Sequence, residues 1–112
     1  MAVVTTALFD AKTAENAQTT QYTSTNLTTV IDKFTATNYS SSAATISVNL
    51  VTNGDTADND NLIVKTKVLQ PNETYTFPEL VGHVLRAGGF ISTIAGTASA
   101  INIRASGRQI TT

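Results

Sequence analysis

Strict alternation of apolar and polar side chains is clearest in the middle of the chain. Ala44, Ile46, Val48 and Leu50 alternate there with Thr45, Ser47 and Asn49. A period of two residues predicts a β-strand that buries one face. A second strand is predicted over residues 28–38, where Val30, Phe34 and Ala36 share one face. Because residues 38–42 are turn-forming, we predict that the two strands pair as an antiparallel hairpin.

Shorter runs of the same pattern predict the remaining strands. These lie at residues 18–24, 62–69, 75–77, 90–95 and 100–110. Lys65 and Lys67 share one strand face, which is typical of a sheet edge or outer surface. Pro71 takes the second position of a tight turn, and the turn at 96–99 is predicted to join the last two strands as a hairpin. In the last strand, the alternation places Ile101, Ile103 and Ala105 towards the core.

The period changes at residues 78–85, Pro-Glu-Leu-Val-Gly-His-Val-Leu. Pro78 suits the first position of a helix, and Glu79 suits the positive end of the helix dipole. The apolar residues recur at helical spacing, and Gly88 and Gly89 follow as a stop signal. We therefore predict one short helix near residues 78–85.

The N-terminal segment carries the weakest pattern. Residues 3–9 suit a strand, whereas residues 10–18 are small and polar. We predict that residues 1–18 form an N-terminal arm or edge strand and that residues 19–112 form one β-sandwich domain. The arm is expected to order against a neighbouring molecule.

Composition supports an all-β class. Charged residues make up only 13% of the chain and the net charge is -1, so Thr, Ser and Asn supply most of the polarity. Thr is β-branched and fits a pleated, half-buried surface. A chain of 112 residues has room for one core. We predict a single-domain antiparallel β-sandwich of seven or eight strands, either immunoglobulin-like or jelly-roll.

Charge and cysteine content narrow the function. A chain near neutrality lacks the basic patch that nucleic acid requires, and no window approaches the roughly 18 apolar residues that span a bilayer. We therefore expect neither nucleic-acid nor membrane partners. The absence of cysteine excludes a disulfide framework, a thiolate nucleophile and Cys-ligated zinc. Low self-repulsion favours close assembly, and we expect a homo-oligomer.

The loop predicted over residues 52–61 carries Asp55, Asp58 and Asp60, whose oxygens are of the type that binds calcium. Their spacing does not match an EF-hand loop. Asp and Asn are also common in plain surface loops, because their side chains bond the local backbone. We expect no metal site and no cofactor, and calcium binding by this loop is the alternative.

His83 follows Glu79 by four residues, the spacing at which an acid–base pair shares a helix face. No nucleophile, second ligand or oxyanion donor accompanies the pair in the sequence. We expect His83 to be structural, and we expect no catalytic residues and no enzymatic activity.

Arg86, Arg104 and Arg108 are the candidate contact residues, because guanidinium groups pair bidentately with acidic surfaces. The alternative is a solvated strand face with weak ion pairs. Tyr39, in a Ser-rich turn, is the candidate exposed aromatic platform. A site there is the signature of a receptor- or carbohydrate-binding β-sandwich, the competing class of function.

Much of the chain resembles a family of small tailed-bacteriophage proteins. The resemblance is carried by residues 71–85 (PNETYTFPELVGHVL), 88–93 and 103–108, and by residues 14–23 (AENAQTTQYT) and 31–38 (IDKFTATN). It implies a non-enzymatic structural component of the virion, assembled in the host cytoplasm. We expect a multi-copy capsid decoration (cement) protein that docks on major capsid subunits and stabilises them. A ring component among the neck or tail subunits is the alternative within this class.

Overall fold

The structure is a computed structural model that describes residues 2–111. Met1 and Thr112, the outermost residues of the predicted arm and sandwich, lie outside the described residues. The elements are β1 (Ala2–Thr13), β2 (Thr19–Thr23), β3 (Thr28–Asn38), β4 (Ala44–Val51), a 3-10 helix (Asn59–Asn61), β5 (Leu62–Leu69), β6 (Thr74–Thr76), β7 (Val84–Leu85), β8 (Phe90–Ala95) and β9 (Ile101–Thr111). Across residues 2–111, no helix has the length and hydropathy of a membrane span.

The strands form two antiparallel sheets that pack as a sandwich. Sheet A has the order β1-β9-β3-β6, with β7 also paired to β3, and sheet B has the order β2-β8-β4-β5. The first and last strands are neighbours, and every connection except β4–β5 and β6–β7 crosses between the sheets. In an immunoglobulin fold several consecutive strands pair within one sheet. The predicted all-β sandwich is thus confirmed, and its strand order is that of a jelly roll.

The two predicted hairpins are wrong. β3 lies in sheet A and β4 in sheet B, and β8 and β9 are divided in the same way. The intervening turns are therefore arches that carry the chain across the core. A strand with one apolar face shows the same period of two residues whether its neighbour lies beside it or faces it from the opposite sheet. The alternation identified the strands but did not distinguish these two arrangements.

Asn38 holds the arch between β3 and β4. Its fully buried amide nitrogen donates to the carbonyl oxygens of Ser42 at 2.8 Å and Leu69 at 2.9 Å. Its side-chain oxygen accepts from the Ser40 backbone N–H at 2.9 Å. Beyond Leu69, the predicted tight turn is confirmed, since Asn72 takes a left-handed conformation with φ of 65°. The buried amide thus joins the end of β3 to the end of β5.

The predicted helix at residues 78–85 is wrong, because this segment consists of turns followed by β7. Its backbone bonds to β3: the Ile31 N–H donates to the His83 carbonyl at 2.9 Å, and the Ile31 carbonyl accepts from the Gly82 N–H at 2.7 Å. Gly82 has φ of 87°, which lies outside the helical region. The helix signals covered about two turns, too few to be stable alone. Pairing with the edge of β3 outweighs them.

The core fills the space between the sheets. Phe34 lies near its centre and packs edge-on against Phe9 and Phe77, with ring centroids 5.8 and 5.2 Å away. The predicted inward face of β9 is confirmed, since Ile101, Ile103 and Ala105 are buried. The inward face of β4 is confirmed for Ala44, Ile46 and Val48, whereas Leu50 is only half-buried.

A β-bulge in β3 changes which of its residues face the core. Its register against β9 shifts between Ile31 and Lys33. Ile31 is consequently buried, and the prediction that Val30 shares a face with Phe34 is wrong. On the neighbouring strand, a Cβ at Gly107 would collide with the Val30 carbonyl oxygen. Glycine at this position permits the close approach of β3 and β9.

The segment predicted as an arm or edge strand forms β1, at one edge of sheet A. Its register against β9 runs without interruption from Ala2↔Thr111 to Ala7↔Ser106 and then shifts twice. Leu8 is buried, and Phe9 packs on the core. β1 therefore contributes to the core of the sandwich, while its outer side has no paired strand within residues 2–111.

Candidate functional site

Arg108 lies on the outer face of sheet A and is paired within the chain. Its Nε donates to both carboxylate oxygens of Asp32 at 3.1 Å, and Nη2 lies 3.0 Å from Oδ1. The two side chains are 44% and 41% exposed, so water screens the pair. An exposed ion pair of this kind stabilises a fold by about 0–1 kcal/mol. The local role of Arg108 is to neutralise Asp32 beside the β-bulge.

Arg104 shares this outer face, four residues earlier on β9. It is exposed, and it borders a shallow depression with Lys33, Thr35 and Ser106. Within residues 2–111, neither Lys33 nor Arg104 forms an ion pair. The two cations give this part of the face a local positive charge. Its chemistry suits a carboxylate on another protein surface.

Arg86 and Tyr39 lie at opposite ends of the sandwich. Arg86 follows β7, whose Leu85 pairs with Thr29 at the start of β3, whereas Tyr39 follows the end of β3. The eleven residues of β3 separate these ends by about 30 Å. Tyr39 is half exposed, and its hydroxyl lies 3.3 Å from the Thr13 hydroxyl. The four candidate contact residues are therefore not brought into one site.

Arg86 borders a cavity between the ends of β4 and β7. Its volume is about 200 Å³, and Val51, Asn53 and Leu85 are among its lining residues. Pockets that enclose drug-sized ligands typically measure about 300–1,000 Å³. The cavity is smaller than that range and lies at an open rim of the sandwich.

Glu79 and His83 do not share a helix face, because the helix predicted over residues 78–85 is absent. Glu79 instead accepts hydrogen bonds from the Tyr75 hydroxyl at 3.0 and 3.2 Å. This contact raises the pKa of Tyr75, because the carboxylate stabilises the protonated phenol. His83 is exposed, and its backbone bonds to β3 and to Leu80. The segment therefore contributes backbone pairing to the sheet.

Polar groups of the loop at residues 52–61 bond to one another and to β4. Asp58 caps the 3-10 helix by accepting from the Asp60 N–H at 2.9 Å, and Asn61 completes a capping box. The buried Asn49 donates to the Asp58 carbonyl at 2.9 Å and to the Asn61 side-chain oxygen at 2.7 Å. Among residues 2–111, no three His, Cys, Asp or Glu side chains group at metal-binding distances. The loop is tied to the outer face of sheet B.

The sequence predictions missed an exposed apolar region where β1 and β9 lie at the chain termini. Val3 and Val4 are 54% and 53% exposed, and Val84 is 49% exposed. The register aligns Val3 with Ile110, and it aligns Thr5, Arg108, Val30 and Val84 in one row across sheet A. The signal in the sequence is the uncharged run Ala-Val-Val-Thr-Thr-Ala-Leu-Phe at residues 2–9. The sequence pattern alone did not show which edge of this strand would pair with the sheet and which would stay unpaired.

The fold has a solved counterpart. No protein-family model matches the chain, and no curated protein matches it. A solved chain from Bacillus endospore appendages, described as a novel family of disulfide-linked pili, superimposes with a TM-score of 0.57 at 12% sequence identity. The match covers 97% of this chain and 88% of that chain. At this identity the likeness concerns the fold, which both chains share over nearly their whole lengths.

Proposed function

We propose that this chain is a non-enzymatic structural subunit of a tailed-phage virion, and specifically a multi-copy capsid decoration protein. The observation that carries the proposal is the jelly-roll strand order, whose first strand begins at Ala2 and whose last strand ends at Thr111. Jelly rolls recur in viral capsid domains. Because one fold hosts many functions, the choice of a virion rests on the sequence resemblance to small tailed-phage proteins.

The solved pilus chain supports the more general part of this proposal. Its description assigns it to a pilus, so a sandwich of this shape serves there in an assembly. The means of linkage does not carry over, because those pili are disulfide-linked and this chain has no cysteine. Assembly of the present chain must use non-covalent contacts or another chemistry.

Decoration requires surfaces that bind a shell weakly but repeatedly. The outer face of sheet A offers Lys33 and Arg104 to acidic groups on a capsid subunit, and Val3 and Val84 offer apolar contact. Single contacts of this type are weak. Contacts repeated across an oligomer add to a much higher overall affinity. The mechanism of the protein is therefore mechanical stapling of neighbouring shell subunits.

Copy number tests the proposal. Quantitative mass spectrometry with isotope-labelled peptides measures the ratio of this chain to the major capsid protein in purified virions of the phage that encodes it. Decoration predicts hundreds of copies per particle. A dozen or fewer copies would assign the chain to the neck or tail, and its absence from virions would contradict the proposal.

A fibre subunit is the second candidate, favoured by the solved pilus chain. A fibre needs a head-to-tail contact that does not close on itself. Electron microscopy of the concentrated, purified protein distinguishes the two functions. Filaments of uniform width would support the fibre, whereas discrete small oligomers agree with a decoration protein.

A further inference from the structure

The strands at the sheet edges differ in how they resist pairing with other chains. In sheet B, the edge strand β5 carries Lys65 and Lys67, and the intervening Thr66 has φ of 49°, which accompanies a shift in register. The opposite edge strand, β2, has five residues and its own register shift. In sheet A, β6 and β7 have three and two residues. Charges, bulges and short lengths are the usual protections of sheet edges.

β1 lacks these protections over residues 2–7. This stretch contains no charged residue and no proline. Its six residues pair with β9 in unbroken register, and all but Thr6 are exposed. A long, regular and uncharged edge presents unpaired N–H and C=O groups as a template for a further strand.

The direction of the backbone groups in sheet A follows from contacts on the far side of β3. The Ile31 N–H and carbonyl bond to His83 and Gly82, so Ile31 faces β7. Successive residues of a strand direct these groups to opposite sides. Val30 therefore faces β9 and bonds with its register partner Arg108.

The same alternation extends across β9 to β1. Because Arg108 faces β3, its neighbour Gln109 faces β1 and bonds with its register partner Val4. The Ala2 N–H also points towards β9, where it donates to Thr111 Oγ1 at 3.3 Å. The remaining residues of the regular stretch direct their N–H and C=O groups away from the sheet: Val3, Thr5 and Ala7.

We propose that β1 pairs antiparallel with β1 of a second copy of this chain across a two-fold axis at Thr5. Among the edges formed by residues 2–111, residues 2–7 of β1 are the one long stretch without charge or bulge, so the complementary edge is the same stretch of a second copy. A two-fold axis brings identical patches together. Centring on Thr5 pairs all three outward residues: Thr5 opposes Thr5, and Val3 opposes Ala7.

The charges around the axis agree with this pairing. β1 is uncharged as far as Phe9, so no like charges oppose each other between the two strands. Arg108, the nearest cation on β9, is already neutralised by Asp32. The pairing joins the two copies of sheet A into one continuous sheet and covers Val3 of each copy. It does not depend on the proposed virion function, because it concerns the purified chain alone.

Sedimentation velocity of the purified full chain over a concentration series tests association. The wild type is expected to reach twice the monomer mass. Thr5→Pro removes an N–H that points away from β9, so the monomer keeps its ladder while both central intermolecular hydrogen bonds are lost. We expect its dissociation constant to rise at least tenfold. Thr5→Val keeps the N–H and the β-branched shape, and it is expected to dimerise like the wild type.

A single cysteine tests the register, because the chain has none of its own. Directly opposed hydrogen-bonded residues have Cα atoms about 5.5 Å apart, within the range that a disulfide spans. Thr5→Cys is expected to give a covalent dimer under mild oxidation, at least tenfold faster than Thr20→Cys on exposed β2. A monomeric wild type, undiminished dimers in a folded Thr5→Pro, or equal cross-linking of both cysteine variants would overturn the proposal. The copy number in virions is measured in a separate experiment, so failure of the β1 pairing and failure of the proposed virion function can be distinguished.

Discussion

At the scale of single residues, one missing side chain determines how closely two central strands approach. A Cβ at Gly107 would meet the Val30 carbonyl oxygen, and the next side-chain neighbour is Leu8 at 3.2 Å. The Val30 carbonyl belongs to the β3 backbone and Leu8 is buried in the core, so neither can move aside easily. The sequence alone gave no sign of this requirement, because Gly107 lies within a strand and not in a turn.

Replacement of Gly107 with alanine is expected to destabilise the protein. The added methyl group must push β3 and β9 apart, and overpacking of this kind typically costs about 1–3 kcal/mol. Urea unfolding of Gly107→Ala and of Ser106→Ala measures the difference in free energy. The control removes a half-buried hydroxyl on the neighbouring residue and should change stability by less than about 0.5 kcal/mol. Equal stabilities would contradict the close approach.

Arg104 and Arg108 should differ in what their removal changes. Arg108→Ala breaks the ion pair with Asp32 and is expected to lower stability by about 0–1 kcal/mol. Arg104→Ala breaks no ion pair within residues 2–111 and should leave unfolding unchanged while weakening attachment to the virion. Rebinding of purified variants to particles depleted of the protein, followed by quantitative gels, measures attachment. Wild-type rebinding by Arg104→Ala would remove this residue from the contact surface.

At the scale of elements, the connection from β1 to β2 has a pH-sensitive contact. Glu15 accepts hydrogen bonds from Lys12 and Gln21, each at 2.9 Å, and these contacts lower its pKa below the usual 4.5. A lowered folded-state pKa gives stability above the unfolded-state value, which is lost as the pH falls through the folded-state value. Both charged groups are more than one-third exposed, so the effect is small.

Glu15→Gln is expected to remove this pH dependence. The wild type should be more stable than the variant near neutral pH, by no more than about 1 kcal/mol. The difference should shrink as the pH falls below 4.5 and vanish below the lowered folded-state pKa of Glu15, where the carboxylate is protonated. Urea unfolding at a series of pH values measures it. A difference that persists at low pH would show that the contact does not depend on the charge of Glu15.

The elements also mark the limit of what the pattern predicts. Alternation located β4, β5, β8 and β9, because a strand with one buried face must repeat every two residues. It did not give the pairing, since a neighbour beside a strand and a neighbour across the core impose the same pattern. The helix prediction for the segment after Pro78 was wrong for a related reason. Its local helix signals were outweighed by the unpaired edge of β3, which is a property of the whole sheet.

The candidate site was predicted less completely than the fold. The alternation of β9 showed that its arginines share a strand face. It did not show that Arg108 pairs with Asp32, because the two are 76 residues apart in sequence. Likewise, the sequence allowed an edge strand over residues 1–18, but the exposed valines of β1 became a candidate surface only when the strand order showed that β9 is its one partner in sheet A. Both features depend on contacts between distant segments, which local spacing does not encode.

At the scale of the whole molecule, most of residues 2–111 belong to the strands of the two sheets. The adjacent strands β1, β9 and β3 of sheet A each have eleven or twelve residues. They form a broad outer face with basic, apolar and unpaired-backbone regions. The arrangement suits binding to other protein surfaces, which agrees with the proposed role in a shell.

A cryo-EM reconstruction of the virion tests this role most directly. The proposal predicts repeated density on the shell that fits the two-sheet sandwich, with the outer face of sheet A in contact with capsid subunits or with a second copy. A shell that is complete at side-chain resolution and has no density for this sandwich anywhere on the particle would contradict it.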